Sequence, residues 1–248
     1  QRKGAMEIVS ASSVLSPQSA MAATVARELG MTSVTIVGGT TPEKAVRNKA
    51  VRLAQEAGSE IVAGPAVGYN PALQAAARNW VAANPGSWQM PYGITTPGGA
   101  SQEEINDFLS VGANQVRNLP DPVVDLVLPF GSGNTAAGVL HGLLKFGAPS
   151  GLETVRLMTI GPDRRKWLED RLNKAGTPLS EAPFQIDQIY LHPVFAEYGD
   201  AMPEKLDGIT MHPTYEGKIV RYLNLVEPEW WTARNGKTLL WIVGGPLP

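Results

Sequence analysis

The sequence predicts an α/β protein of two lobes, built on parallel sheets with helices on both faces, and three observations predict it. Short β-branched runs alternate with Ala-rich amphipathic stretches along nearly the whole chain, the pattern of strands joined by crossover helices. A Pro- and Gly-rich stretch, residues 84–100 (NPGSWQMPYGITTPGGA), falls between two such alternations; it reads as the crossing between lobes or as a functional loop of the same composition. The 248 residues, 43% hydrophobic and 18% charged, suffice for one large core or two small ones.

The elements follow in order. The smaller lobe, residues 1–100, opens on a strand at Met6–Ser10 (MEIVS). A helix at Gln18–Leu29 is entered through Ser16-Pro17-Gln18, where Ser16 suits an N-cap and Pro17 the first helical position. The β-branched run Ser33–Val37 is the next strand, an Ala-containing amphipathic stretch predicts a helix over Pro42–Ala57, Glu60–Ala63 is a short strand, and Pro71–Ala83 a helix. The larger lobe, residues 101–248, begins with a helix over Gln102–Asn118 and the run Val123–Leu128 (VVDLVL). Helices over Thr135–Phe146, Arg164–Ala175 and Glu216–Leu223 then alternate with strands over Thr154–Ile160, Gln185–Tyr190 and Leu239–Val243. There is no internal repeat and no low-complexity tract.

Composition narrows the partners. Lys and Arg total 21 against 23 Asp and Glu, with neither sign in a block, so no nucleic-acid arm and no membrane-binding patch is evident. A small polar partner fits better. The absence of cysteine excludes disulfides, thiolate metal sites and a Cys nucleophile. No apolar run approaches the ~18 residues of a membrane helix, and the start lacks a secretory layout, which makes the cytoplasm the default expectation. Gln1 is not a natural start, and the natural product is expected to begin upstream of it.

Ligands of such sheets bind outside the carboxyl ends of strands, where the winding direction changes. "LVLPFGSGNTAAGVLHGLLKFG" puts a glycine turn at such an end. Gly131-Ser132-Gly133-Asn134-Thr135 would wrap a helix N-terminus, whose backbone N–H groups and dipole favour an anion. Glycines 131 and 133 admit the anion close to the backbone, and Ser132 and Thr135 add hydroxyls. An ordinary βα turn is the bland alternative. Among phosphate ligands, nucleoside triphosphate hydrolysis lacks its Gly-Lys-Ser/Thr, because Asn134 precedes Thr135. A dinucleotide is supported by Gly131, Gly133 and Ala136, with Asp163 somewhat late as the acidic residue and Arg164 and Arg165 suited to a 2′-phosphate. Pyridoxal phosphate needs just one such loop.

Several segments together resemble one family, the fold type II pyridoxal-phosphate enzymes related to tryptophan synthase β, and within it the 1-aminocyclopropane-1-carboxylate deaminase and D-cysteine desulfhydrase group. "GAMEIVSASSVLSPQSAMAATVARELGM" resembles that group's strand, turn, Ser-Asn-Gln/His motif and Ala-rich helix. "GSGNTAAG" resembles its phosphate loop, "FAEYG" its Pro-Glu-Tyr-Gly, and "HPTYEGK" its Asp-Pro-Val-Tyr-Glu-Gly-Lys. "LLWIVGG" resembles its closing strand with paired glycines.

The resemblance implies pyridoxal 5′-phosphate as cofactor, a small amino-acid substrate and a homodimer. Gly131, Ser132, Gly133, Asn134 and Thr135 would hold the phosphate, and Glu216 would meet the pyridine nitrogen, where a carboxylate favours the protonated ring. Tyr215 would act as acid, base or nucleophile activator, with Tyr198 and Ser16 beside it in the catalytic set. Ser16 and Gln18 would hold the substrate carboxylate, and Tyr69, in "GYNPALQ", would face the pocket. Residue by residue the bland readings differ. Tyr215-Glu216 is also a helix start, Tyr198 a packed aromatic, and Tyr69 an interface or core residue. His141, His192 and His212 lack the pairing of a metal motif and read as structural. Trp80, Trp230 and Trp231 are candidate interface anchors, with core packing the simpler reading.

Two departures stand out. The family's cofactor-linking lysine lies about one helix ahead of the Ser-Asn-Gln motif, and that position falls before Gln1, so an N-terminal segment is expected to be missing from residues 1–100. Pro17 stands where the family has Asn and removes an amide beside the substrate carboxylate. The sequence therefore reads as a pyridoxal-phosphate-dependent deaminase or lyase that releases ammonia through carbanion chemistry, from a small amino acid or an aminoacyl group on a larger molecule. A cofactor-binding superfamily member without the lysine or turnover, and an NAD(P)-dependent oxidoreductase, are the alternatives.

Overall fold

A computed structural model describes residues 4–94, 100–197, 199–233 and 237–243. The described residues fall into two compact units, one ending at residue 94 and one starting at residue 100. In the first, β1 (Glu7–Ala11), α1 (Gln18–Glu28), β2 (Thr32–Val37), α2 (Pro42–Ala45), α3 (Lys49–Glu56), β3 (Glu60–Ala63), α4 (Asn70–Ala83) and β4 (Ser87–Gln89) follow one another. All four strands are parallel, in the order β3-β2-β1-β4. Strand alternation sends Val9, Ala11, Val34 and Ile36 against Leu73 and Ala77 of α4, while Ile8 packs with Ala22 and Ala26 of α1. Side chains of successive residues point to opposite faces, so a sheet covered on both sides needs apolar residues at nearly every position.

The helix predicted over Pro42–Ala57 is two helices. Asn48 is extended at φ −80°, ψ 132°, and its side-chain amide donates to Ala45 O at 3.2 Å, a local bond that competes with the helical ladder. The stretch from residue 84, read as a crossing or loop, opens as β4, which pairs Ser87 with Glu7. Three residues are too few to show a period.

The second unit contains α5 (Gln102–Gln115), β5 (Asp125–Phe130), α6 (Asn134–Phe146), β6 (Thr154–Thr159), α7 (Arg165–Lys174), β7 (Gln185–Tyr190), β8 (Lys205–Leu206), β9 (Ile209–Thr210), α8 (Glu216–Val226), α9 (Pro228–Ala233) and β10 (Thr238–Leu240). Its main sheet, β10-β5-β6-β7, is parallel, and β8-β9 is a separate antiparallel pair. Leu126, Leu128 and Phe130 of β5 join Leu109 of α5, Leu140 of α6 and Leu168 of α7 on one face. Val127 points the other way, with Met158, to Ile219 and Leu223 of α8. Each such buried side chain contributes about 1.5–3 kcal/mol by leaving water. α5 begins with a reciprocal cap, Ser101 Oγ accepting from Glu104 N while the Glu104 carboxylate accepts from Ser101 N. α9 is held by Arg156, which lies 3.6 Å from the Trp230 ring centroid and bonds the Glu227 carboxylate.

Trp230 thus packs inside its own unit, as does Trp80, whose indole N–H donates to Glu7 Oε1 at 2.9 Å. No described helix is long and apolar enough to cross a membrane.

Candidate functional site

The winding of the second sheet fixes where a ligand is expected. From β5 the chain proceeds to β6 and β7 on one side, while its last strand, β10, closes on the other. The carboxyl end of β5 is therefore the point at which winding direction changes. Gly131, Ser132 and Gly133 connect β5 to α6 there. Gly133 caps the helix in a left-handed conformation, φ 89°, which an L side chain adopts at a cost. A Cβ on it would also lie 2.8 Å from Cζ3 of Trp167, whereas a Cβ on Gly131 would meet nothing within 4 Å. The turn is thus seated on an aromatic floor at one glycine and open at the other. Ser132 is exposed, and the Asn134 amide reaches its hydroxyl at 3.4 Å. Thr135, half-buried, is the second residue of α6. α6 runs 13 residues, so its first-turn N–H groups and dipole point out of the sheet edge where the glycines leave room.

Glu216 reaches the same edge from α8. It opens that helix, is 0% exposed, and its Oε1 accepts from Val243 N at 2.7 Å. Leu240 pairs with Val127 and Trp241 N donates to Val127 O at 2.9 Å, so Val243 follows just past the carboxyl end of β10, the strand beside β5. A buried carboxylate and the glycine turn thereby share one sheet edge. Tyr215, half-buried before Glu216, stacks on His212 with ring centroids 4.8 Å apart and planes tilted 33°. Thr214 N donates to His212 Nδ1 at 3.2 Å, which fixes Nδ1 as an acceptor and leaves the proton of the neutral ring on Nε2. Burial holds the His212 imidazolium below its ordinary range, with Glu216 acting in the opposite sense.

His212 and Lys218 gained no role in the sequence reading. Lys218 is 1% exposed, its ammonium donating to Glu197 O. Burial lowers its pKa, against the pull of Asp200 and Glu197. Its place two residues past Glu216 puts the two side chains on different sides of a helix opening and gave no sign of its burial. Tyr198 and the paired glycines Gly244 and Gly245 lie outside the described residues.

In the first unit, Ser16 Oγ accepts from Gln18 N at 3.3 Å, and Pro17, helical at φ −67°, ψ −10°, takes the N-cap position of α1, one residue later than the expected cap at Ser16. The Gln18 amide is engaged at both ends, donating to Pro91 O at 3.4 Å and accepting from Gly93 N at 2.9 Å. Tyr69 precedes α4 and is 62% exposed.

The dinucleotide alternative loses its acidic residue. Asp163 accepts from Arg165 N at 2.9 Å, Gln188 Nε2 at 3.0 Å and Tyr190 O–H at 3.0 Å. These bonds, the backbone one foremost, hold its carboxyl below the usual range and leave it tied to the start of α7. Among the described residues no cluster suited to a metal ion exists.

This winding, with a glycine turn and a buried carboxylate at the switch point, defines a class: the chain has the fold of the fold type II pyridoxal-phosphate enzymes. Among solved structures it superposes on an ACC deaminase homologue with a TM-score of 0.66 at 18% identity, over 98% of this chain and 75% of that one. Escherichia coli diaminopropionate ammonia lyase in its apo form gives 0.58 at 13%, over 97% and 66%. A hydrogen sulfide-producing enzyme from Fusobacterium nucleatum gives 0.54 at 13%, over 96% and 70%. In sequence the chain is 28% identical over 294 residues to the O-seryl-dTMP PLP-dependent decarboxylase of Salmonella phage ViI, covering 97% of this chain and 68% of that protein. No protein-family model matches.

Proposed function

We propose that the chain is a pyridoxal-phosphate-dependent enzyme that breaks a bond at the α-carbon of an aminoacyl group, and that the bond is the one to the carboxylate, on a seryl group carried by a nucleotide. Pyridoxal 5′-phosphate is the expected cofactor, and the residues present suit it. The open side of Gly131 and the α6 N-terminus offer room and positive potential for its phosphate, and Glu216 offers a buried carboxylate for its ring nitrogen. When bound, the cofactor supplies an electron sink that stabilises a carbanion at the α-carbon.

The chain's own residues have separate tasks. Residues 131–135 bind the phosphate. Glu216 keeps a proton on the ring nitrogen, held in place by Val243 N. Tyr215, backed by the neutral His212 ring, delivers a proton at the α-carbon after the bond has broken.

The observation that carries the reading is the shared sheet edge of the glycine turn and Glu216. The likeness to the phage decarboxylase along nearly the whole chain supports the choice of reaction and substrate. The test supplies the chain with pyridoxal phosphate and O-seryl-dTMP, with free L-serine in parallel, and measures CO2 and ammonia separately. CO2 from the nucleotide-borne group without ammonia is expected. Ammonia release would return the assignment to a deaminase, and neither product from either substrate would contradict the proposed reaction.

A further inference from the structure

Lys218 ties the turn closed by Glu197 and Asp200 to α8. An ammonium buried to 1% exposure is costly unless it is bonded and compensated. Glu197 and Asp200, which are among its partners, belong to one turn that is closed twice. Asp200 N donates to Glu197 O at 3.1 Å, and Glu197 N donates to Asp200 Oδ2 at 2.9 Å. Lys218 adds a third bond by donating to the same Glu197 carbonyl, and the Asp200 and Glu197 carboxylates favour its charged form. Beyond the turn, Met202 N donates to Pro213 O at 3.0 Å, and a Cβ on Gly217 would overlap Met202 O. The segment approaches the opening of α8 so closely that position 217 has no room for a side chain. Tyr215 stands at the N-cap of α8, and Glu216 is its first residue, in the turn that carries Lys218.

We propose that Lys218 is a positioning residue that clamps the turn closed by Glu197 and Asp200 to the start of α8 that presents Tyr215 and Glu216. The inference rests on the proposed function in taking Tyr215 and Glu216 as the working side of the site, and it adds what holds the start of α8 in place. Nothing in the sequence pattern distinguishes Lys218 from an exposed first-turn lysine. Its burial and its aim at a backbone carbonyl on another segment do.

The test uses the full chain and three variants. Lys218→Met keeps the shape of the stem and removes the donor, Lys218→Arg keeps a cationic donor, and Asp200→Ala loosens the turn from its exposed side. Amide exchange across residues 195–202 is measured together with the visible circular dichroism of added pyridoxal phosphate at saturation. Lys218→Met is expected to speed exchange in that segment at least tenfold, to leave the melting temperature within a few degrees, and to lower the cofactor's dichroic signal by half or more. Lys218→Arg is expected to restore most of both, and Asp200→Ala to reproduce both in weaker form. Unchanged exchange in Lys218→Met would overturn the clamp. Faster exchange with an unaltered cofactor signal would overturn the positioning role. A wild-type chain that binds no pyridoxal phosphate would count against the proposed function, and the exchange result would still decide the clamp by itself.

Discussion

Gly133 and Gly217 show how single residues set the geometry of the sheet edge. Gly133 must be left-handed to turn β5 into α6 and must also clear Trp167. Gly133→Ala is expected to cost about 1–3 kcal/mol and to weaken phosphate binding at the turn, read by denaturant melts and by titration with inorganic phosphate. Gly217→Ala forces a Cβ into Met202 O, a backbone atom that cannot rotate away. A loss of about 2–4 kcal/mol is expected in the same melts; a change below about half a kcal/mol would mean that the 202 segment yields freely.

One buried and one half-buried histidine give stability a sign with respect to pH. Burial lowers the pKa of both His141 and His212, so in acid the unfolded chain takes up protons at its ordinary value of about 6.5 before the folded chain does. The stability contribution is complete above that value and declines as pH falls below it. Melting temperature should therefore drop between neutrality and the folded pKa values, and His141→Gln should flatten part of that slope.

At the scale of elements, α5 and α6 meet through glycine. A Cβ on Gly138 would lie 3.0 Å from Gly112 Cα and 3.3 Å from Leu109 O, and one on Gly142 would lie 2.6 Å from Ala113 O. The two backbones come close enough that larger side chains would push α6, and the turn at its N-terminus, off the sheet. Gly138→Ala is expected to cost about 1–3 kcal/mol and to weaken phosphate binding without touching the turn itself. Unchanged binding would show that the turn's position does not depend on this contact. Elements of this kind were legible from sequence where apolar periodicity was long, as in α5 and α6, and where a strand is buried on both faces, as in β5 and β6. They were not legible where one local bond decides the outcome. Asn48 divides the helix expected over Pro42–Ala57, β4 exists because three residues find β1, and α9 is pinned by the stacking of Arg156 on Trp230. The partners of β4 and α9 are far away in sequence, and the bond of Asn48 to Ala45 leaves no mark on apolar periodicity.

At the scale of the whole molecule, the same logic is used twice: a four-stranded parallel sheet whose central strands are buried on both faces. That logic made the α/β class and the glycine turn readable from residue order. It left unseen the return of the last strand beside β5, which brings Val243 to Glu216. The likeness of "HPTYEGK" to a family motif pointed to Tyr215 and Glu216. Only the fold shows the same motif's His212 under Tyr215 and its Lys218 on the turn from 197 to 200.

The edge formed by residues 131–135 and Glu216 is proposed to hold pyridoxal phosphate by its phosphate and its ring nitrogen. The decisive measurement is equilibrium titration of wild type and Glu216→Gln with pyridoxal phosphate and, separately, with pyridoxal. Pyridoxal phosphate is expected to bind at least 100-fold more tightly than pyridoxal, a difference of about 2.7 kcal/mol. Glu216→Gln is expected to weaken both while the melting temperature stays within a few degrees. Equal affinity for the two compounds, or no effect of Glu216→Gln on either, would contradict that proposal.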